Sequence, residues 1–576
     1  MVINNVIIVV NLKFRLCFEF FDIFIVFVNL PTKIVISIPE KSSVAIAFYR
    51  VKASKEPVHF KPATINLPPL FTMKLENWFK VKKYPHIGLP ITIKDYTWVK
   101  EYVMNKEKIR IHSFLPLIHK CISQRKFRPD KLRTDRTNTK KRFRIKDKKD
   151  RNIYFASHLD SLIFSYFNSL LVESYENYIK SKTFNGSVVA YRKIPMFTGA
   201  ESKKCNIDFA KSTFEFIRKN DDKKLTVIVA DVTSFFDNLD HKLLKKQWTK
   251  ILNTSTLPVE HYNVFKALTK IKYVEGEQLF KSYNNTMLVK RGILNSKKEF
   301  EYIRKEILKS NYFKEKKAVA YCEKSEFLKN NLKTIISKNN LQGIPQGSPI
   351  SATLANVYML DFDQIIFDKI NSIDGYYQRY SDDLIVVCEQ QYEDEIIKTI
   401  RESIADKNIA NLEIQPKKTK VYRFENINGK FTGFEIEEKT KVPNFNKTLE
   451  YLGFSFDGKK VLIKSAGFSK FYRSMIKSFK KSASFAKNSK NPDKRIFKSK
   501  LFKRFTHKGA KRKLIYRPSK TDSSKYEKSK EYNWGNYLSY VYKADNTMSE
   551  LNNSHSIKRQ GRKLWKNFNR LLKIYK

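Results

Sequence analysis

An α+β fold is what the order of periodic segments predicts, and three observations carry the prediction. Leu225 to Asp231 (Leu-Thr-Val-Ile-Val-Ala-Asp) is an apolar run of strand length that ends in a carboxylate. Leu244, Trp248, Ile251 and Leu252 then recur at helical spacing, with Asp237 or Asn238 a natural N-cap. The aromatic run Gly375 to Tyr380 and the apolar run Leu384 to Cys388 meet at Ser381-Asp382-Asp383, which reads as a hairpin with acids at its tip. Ile396, Ile397, Ile400 and Ile404 mark another amphipathic helix and Leu412-Glu413-Ile414 a closing strand. Strand, helix, hairpin, helix and strand describe a ferredoxin-like unit.

An acidic turn alone is usually a solvated loop. Here a second carboxylate, Asp231, ends a separate strand. Acids delivered from separate strands suit a nucleotidyl transferase, which holds two divalent ions a few Å apart: one activates the attacking hydroxyl and one steadies the leaving pyrophosphate. Asp231 and Asp382 fit that need, with Asp383 beside them, whereas Asp237 reads as a helix cap.

Five segments occur in the order of the palm motifs of reverse transcriptases. They are Asp231 with Phe235-Phe236-Asp237, the run Gln342 to Pro349 (Gln-Gly-Ile-Pro-Gln-Gly-Ser-Pro), the tetrad Tyr380 to Asp383, Lys418-Thr419, and Leu452-Gly453-Phe454. The chain resembles a bacterial, non-retroviral reverse transcriptase. Tyr84-Pro85-His86-Ile87-Gly88-Leu89-Pro90 resembles the opening of the defence-associated, type 2 group. The resemblance implies a right-hand polymerase with fingers, a ferredoxin-like palm and a basic helical thumb. It also implies RNA-directed DNA synthesis with Mg2+, an RNA template, a cDNA product and dNTPs. Asp231, Asp382, Asp383 and the Val232 carbonyl would hold the metal, and Lys418 would protonate the departing pyrophosphate. Phe236 would fill the space of a ribose 2′-hydroxyl, Phe235 would pack in the core, and Gln346 and Gly347 would lie at the nascent pair. Arg151, then Lys149, would meet the triphosphate, and Val188 to Lys193 the template. Gln415 stands where the family usually has Asn. The type 2 group acts with a structured noncoding RNA against phage. A group II intron or retron enzyme, an RNA-binding maturase with a scaffold palm, and an untemplated polymerase primed by its own Tyr or Ser remain alternatives.

Composition agrees with a polyanionic partner. Lys and Arg number 112 against 57 Asp and Glu, a formal charge of +55, so nucleic acid is the simplest ligand and binding should depend steeply on salt. An AT-rich genome would also enrich Lys, Asn and Ile. With 41% apolar residues in 576, several subdomains can each bury a core. Cys17, Cys121, Cys205, Cys322 and Cys388 form neither a disulfide framework nor a zinc pair, which fits a reducing cytoplasm.

Residues 1–72 differ in texture from the rest. Val6 to Val10 and Leu16 to Val28 are apolar, but Glu19 and Asp22 interrupt the second run, which is short for a membrane span. An anchor, an accessory strand pair or translated upstream sequence before a start at Met73 are the readings, and the last is preferred. Residues 73–224 read as N-terminal segment and fingers, with a basic run from Arg125 to Arg151 before a helix from His158 to Leu171. Residues 225–460 read as palm, with an insertion near 253–340 that could grip RNA or another subunit. The loop Gln342 to Ser351 reads as feeding a helix capped by Ser348, with Gly343 and Gly347 letting the backbone approach a sugar or base. Leu449 to Phe456 reads as a primer-grip hairpin. Residues 461–576 read as a basic helical thumb with Trp534, Tyr537, Tyr540 and Trp565 in its core. The sequence leaves the oligomeric state open.

Overall fold

The computed structural model describes residues 75–575, apart from 130–143, 293–299, 309–317, 339, 438–439, 490–495, 511–513, 519–525 and 533–534, together with four strands nearer the N-terminus. Two units result: residues 1–81 with 91–102, and residues 82–90 with 103–576. In the first, strands Ile8–Leu16, Glu19–Phe27, Ile34–Ser37 and Ala47–Tyr49 pair antiparallel in chain order. Trp78 and Phe79 pack there on Tyr96, with ring centroids 6.3 and 5.0 Å away. No helix among the described residues is long and apolar enough to cross a membrane.

The palm of the second unit is one antiparallel sheet. Its strands run in the order Tyr376–Tyr380, Asp383–Glu389, Leu225–Asp231, Lys420–Ile427, Lys430–Ile436 and Pro443–Asn444. The Leu225–Asp231 strand alternates sides, and both sides are covered. Leu225 and Val227 join Phe214, Ile385, Val387, Tyr422 and Phe424 in the core. On the other face Thr226 donates to Glu393 at 2.6 Å, and Glu393 also takes Arg423 at 3.0 Å, so the polar residue of this strand is satisfied where it is buried.

Three element readings need correction. The helix after Asp231 is His241–Leu252, capped by Asp240, whose carboxylate accepts from the Lys242 and Leu243 amides. Neither Asp237 nor Asn238 is the cap, because the chain first makes a tight turn over Phe235–Asp237 with Ser234 at φ 44°. Leu412-Glu413-Ile414 forms no strand of its own but a single bridge, Ile414 to Val232. Pro416 then enforces a turn over Pro416–Lys418, and the paired strand starts at Lys420. Similarly, the helix after the Gln342 loop starts at Ser351 with Ile350 at its cap, so Ser348 does not cap it; Ser351 Oγ instead donates to the Pro345 carbonyl at 2.8 Å.

The fingers combine distant segments. Leu117–Pro129 pairs antiparallel with Arg144–Phe155 and parallel with Ile271–Glu275, which in turn carries Ile336–Lys338. A second sheet joins Phe300–Glu306, Thr286–Gly292 and Ala318–Cys322 to His86–Ile87. The segment read as an insertion thus supplies strands to both fingers sheets.

In the thumb, helices Ser465–Lys487, Lys498–Phe505 and Ser556–Ile574 close a core of Met475, Phe479, Leu501, Phe505, Phe568 and Leu571. Helix Tyr537–Asn552 packs through Val541 and Met548 into the palm core with Phe454 and Phe456. An antiparallel pair, Leu514–Pro518 with Tyr526–Tyr532, lies inside the stretch read as helical. Tyr537 and Tyr540 are partly buried against the core, as expected, but Trp565 is 41% exposed and is not a core residue. Trp534 lies outside the described residues.

Candidate active site

Antiparallel pairing sets the acids side by side. Asp231, the last residue of its strand, is the register partner of Asp383, the first residue of the next. Asp382 stands in the turn, where its carbonyl accepts the Val232 amide at 3.0 Å. Ser381 has φ 64°, a left-handed conformation that tightens the turn between Tyr380 and Asp383. All three acids are half-buried. Burial first, then the like charges of Asp382 and Asp231, push the Asp383 carboxyl up to about 6. A crowd of acids this costly to ionise favours a bound cation.

Lys418 comes to the same place by way of the proline turn. The Gln415 amide donates to the Asp231 carbonyl at 2.8 Å, the Lys418 amide to the Gln415 carbonyl at 3.0 Å, and the Lys418 ammonium pairs with the Asp231 carboxylate. Its side chain is 49% exposed, so a charged donor stands at the mouth of the acidic site.

Beneath the turn lies a polar cluster with no periodic signal in the sequence. Arg379 is fully buried and grips Asp363 with both arms, at 2.7 and 2.6 Å. Its third contact is the Ser381 carbonyl at 3.0 Å, the group just before Asp382. Asp363 also takes the Tyr377 hydroxyl at 2.7 Å, and Asn356 reaches from Arg379 to the Ala190 carbonyl. The Tyr191 hydroxyl meets Ser381 Oγ at 3.1 Å. A bidentate guanidinium thus fixes the backbone of the acidic turn from below.

The Gln342 to Ser351 loop ties three parts together. The Gly343 amide donates to the Leu239 carbonyl at 2.8 Å and the Ile344 amide to the Phe236 carbonyl at 2.9 Å. Phe236, half-buried beside the buried Phe235, therefore has its backbone held five residues beyond Asp231. Farther on, the Gln346 carbonyl accepts the Tyr154 amide of the fingers at 2.9 Å. A Cβ on Gly343 would lie 2.7 Å from the Asp237 carbonyl oxygen, and one on Gly347, at φ 121°, 2.6 Å from that of Tyr154. Both glycines thus come close to protein backbone as well.

The fingers residues are placed less directly. Ile153 Cγ2 would lie 3.1 Å from a Gly347 Cβ, so the strand face bearing Ile153 is turned to the loop. Arg151, exposed and two residues earlier, shares that face. Lys149 belongs to the same strand, but its side chain lies outside the described residues. Arg192, in the segment read as touching template, is instead committed to protein: it binds Glu176 and the Asn185 and Val188 carbonyls at 2.6–2.9 Å.

Among the described residues no three His, Cys, Asp or Glu side chains could hold a metal ion on their own. Magnesium in phosphate-transferring sites takes only one or two carboxylates from protein and the rest from substrate and water, so a paired set of acids fits it without a protein cage.

A sheet bearing acids at the ends of two paired strands, tied to a fingers strand through the glycine loop, is the right-hand polymerase fold. Residues 298–456 match the family described as reverse transcriptase (RNA-dependent DNA polymerase). The chain therefore carries an RNA-directed DNA polymerase domain; the match spans the glycine loop, the acidic hairpin and Lys418, while Asp231 and Phe236 lie upstream of it. No curated protein matches the chain. Similar solved structures include apo telomerase from Candida tropicalis truncated from the C-terminal domain, at 15% identity over 51% of this chain and 52% of that one, TM-score 0.29. Untruncated apo telomerase from the same organism gives 14%, 58%, 51% and 0.32. Telomerase from Candida albicans with a fragment of telomeric RNA gives 12%, 83%, 67% and 0.33. The chain spans about half the length of the Candida tropicalis proteins.

Proposed function

We propose that the chain is a reverse transcriptase that copies an associated noncoding RNA into DNA. The observation that carries this is the register pairing of Asp231 with Asp383, with Asp382 in the adjoining turn. When bound, two divalent ions, Mg2+ by the oxygen chemistry of the site, would supply the Lewis acidity for 3′-hydroxyl attack and pyrophosphate departure. Asp231, Asp382, Asp383 and the Val232 carbonyl would hold them. Lys418, already poised at Asp231, would place a proton near the developing charge of the leaving group. Phe236 would select dNTPs by excluding a 2′-hydroxyl. Gln346 and Gly347, in the loop between palm and fingers, would border the nascent pair, and Arg151, with Lys149, would meet the triphosphate.

The antiphage role is proposed on the resemblance of Tyr84 to Pro90 to the type 2 group. In the structure this segment carries the buried His86, whose strand joins the fingers. A cytoplasmic setting fits Cys121, Cys205, Cys322 and Cys388, all free thiols.

The test is primer extension on an RNA template. Asp382→Ala with Asp383→Ala should lower DNA synthesis by a factor of at least about 1,000, the scale on which loss of charge stabilisation acts, while RNA retention on a filter stays near the parent's. Equal phenotypes of the variant and the parent in cells would favour a binding protein with a scaffold palm. Sequencing copurified RNA should show one enriched structured species, and its absence would remove the noncoding-RNA part of the proposal.

A further inference from the structure

The last helix of the thumb presents an exposed aromatic surface. The Trp565 ring lies nearly parallel to Phe568, 5.8 Å between centroids at 5°, and His507 packs on it at 5.5 Å and 63°. Those neighbours hold the indole in place, yet it keeps 41% of its surface exposed. A buried indole would have been ordinary core; a braced and exposed one is a platform.

Beside it opens a cavity of about 370 Å³ between the Phe505–His507 corner, helix Tyr537–Asn552 and the last helix. That size falls in the lower part of the roughly 300–1,000 Å³ range of ligand pockets. Leu538 and Tyr542 give it an apolar wall, and Lys558 and Arg562, one helical turn apart, give it a cationic rim. Neither cation forms an ion pair among the described residues, and no acidic side chain lines the cavity. A flat apolar body with an attached anion matches these walls.

We propose that this cavity takes one unpaired nucleotide of a nucleic-acid strand, its base stacked with Trp565 and its phosphate on Lys558 and Arg562. Away from its ends a fully paired duplex offers no free base face to the indole, so the site selects single-stranded or bulged structure over duplex interior. It would anchor a strand beyond the duplex that the palm extends. Occupancy of this cavity is read by binding and is independent of DNA synthesis.

The full-length chain is titrated with a 12-nucleotide oligoadenylate as RNA, the same sequence as DNA, and a fully paired RNA–DNA hybrid of equal length. Trp565→Ala should weaken binding of a single strand about 5- to 150-fold, the range expected for one lost base–aromatic stack. Trp565→Phe should stay within a few fold of the parent, and neither change should alter affinity for the hybrid. Whichever strand, RNA or DNA, loses affinity in Trp565→Ala identifies the occupant. Arg562→Gln should reduce the salt dependence of single-strand binding by about 0.7 in log–log slope, one phosphate's share. No loss on either single strand, or an equal loss on strand and hybrid, overturns the proposal; the second outcome would mean that the thumb follows phosphates only. Unfolding is controlled by comparing the melting temperature of Trp565→Ala with that of Trp565→Phe.

Discussion

A charge pair sealed under the acidic turn has two separable effects, on folding and on geometry. Arg379 and Asp363 are both at 0% side-chain exposure. Removing one partner leaves the other charged, buried and unpaired, which costs about 3–5 kcal/mol, whereas replacing both by apolar side chains is often close to neutral. Arg379→Met should therefore lower the melting temperature, and adding Asp363→Leu should restore most of it. DNA synthesis should stay low in the double variant, because the Ser381 carbonyl then has no guanidinium to hold it. Full recovery of synthesis would show that the pair serves stability alone. At this scale the acids were legible because strand ends with carboxylates are local features of the text. Arg379 was not, since a buried ion pair between residues 363 and 379 leaves no trace in hydrophobic period. Lys418 was legible only through resemblance; what delivers it is the turn that Pro416 imposes.

Turns and caps were the least legible elements, because several polar residues in a row offer the same chemistry. Asp237, Asn238 and Asp240 can each cap a helix, and the choice fell to Asp240 because the Phe235–Asp237 turn uses up the preceding residues. The Leu449 to Phe456 hairpin was clearer. Leu452 and Gly453 both have positive φ, 43° and 91°, which is the geometry a two-residue hairpin loop needs, and Asn206 Nδ2 donates to the Leu452 carbonyl at 3.1 Å. Gly347 is the more consequential turn residue. Its φ of 121° and the 2.6 Å approach of the Tyr154 carbonyl leave no room for a methyl group. Gly347→Ala should push the loop off the fingers strand, cost at least about 1 kcal/mol of stability, and lower primer extension. Thermal melting and extension rates on the same preparation check both.

Across the whole molecule, the acid sensitivity of folding should trace to a joint in a different sheet from the acids. His86 Nε2 donates to the Phe155 carbonyl at 3.0 Å while its Nδ1 accepts the Ile87 amide at 2.8 Å, so the ring is neutral and bridges the N-terminal segment to the fingers. Burial pushes it down to about 4 from an ordinary 6.5. The unfolded chain then binds the proton more readily, so this contribution is complete above about pH 6.5 and declines as pH falls toward 4. A melting curve series from pH 7.5 to 4.5 should show that decline, and His86→Gln should flatten it. Parallel slopes for the two proteins would assign the acid sensitivity elsewhere. The palm and the helical texture of the thumb could be foreseen from periodicity. The fingers could not: Leu117–Pro129 pairs in parallel with Ile271–Glu275, and strand partners so far apart in sequence carry no mutual signal.

That pairing also orders events during synthesis. When Phe155 has left the ribosome, the outer edge of the Leu117–Pro129 strand still lacks Ile271–Glu275, which is translated more than a hundred residues later. At about 5–20 residues per second, the nascent hairpin waits on the order of ten seconds with a bare strand edge. The time of greatest vulnerability to self-association would then fall before the polymerase motifs are complete.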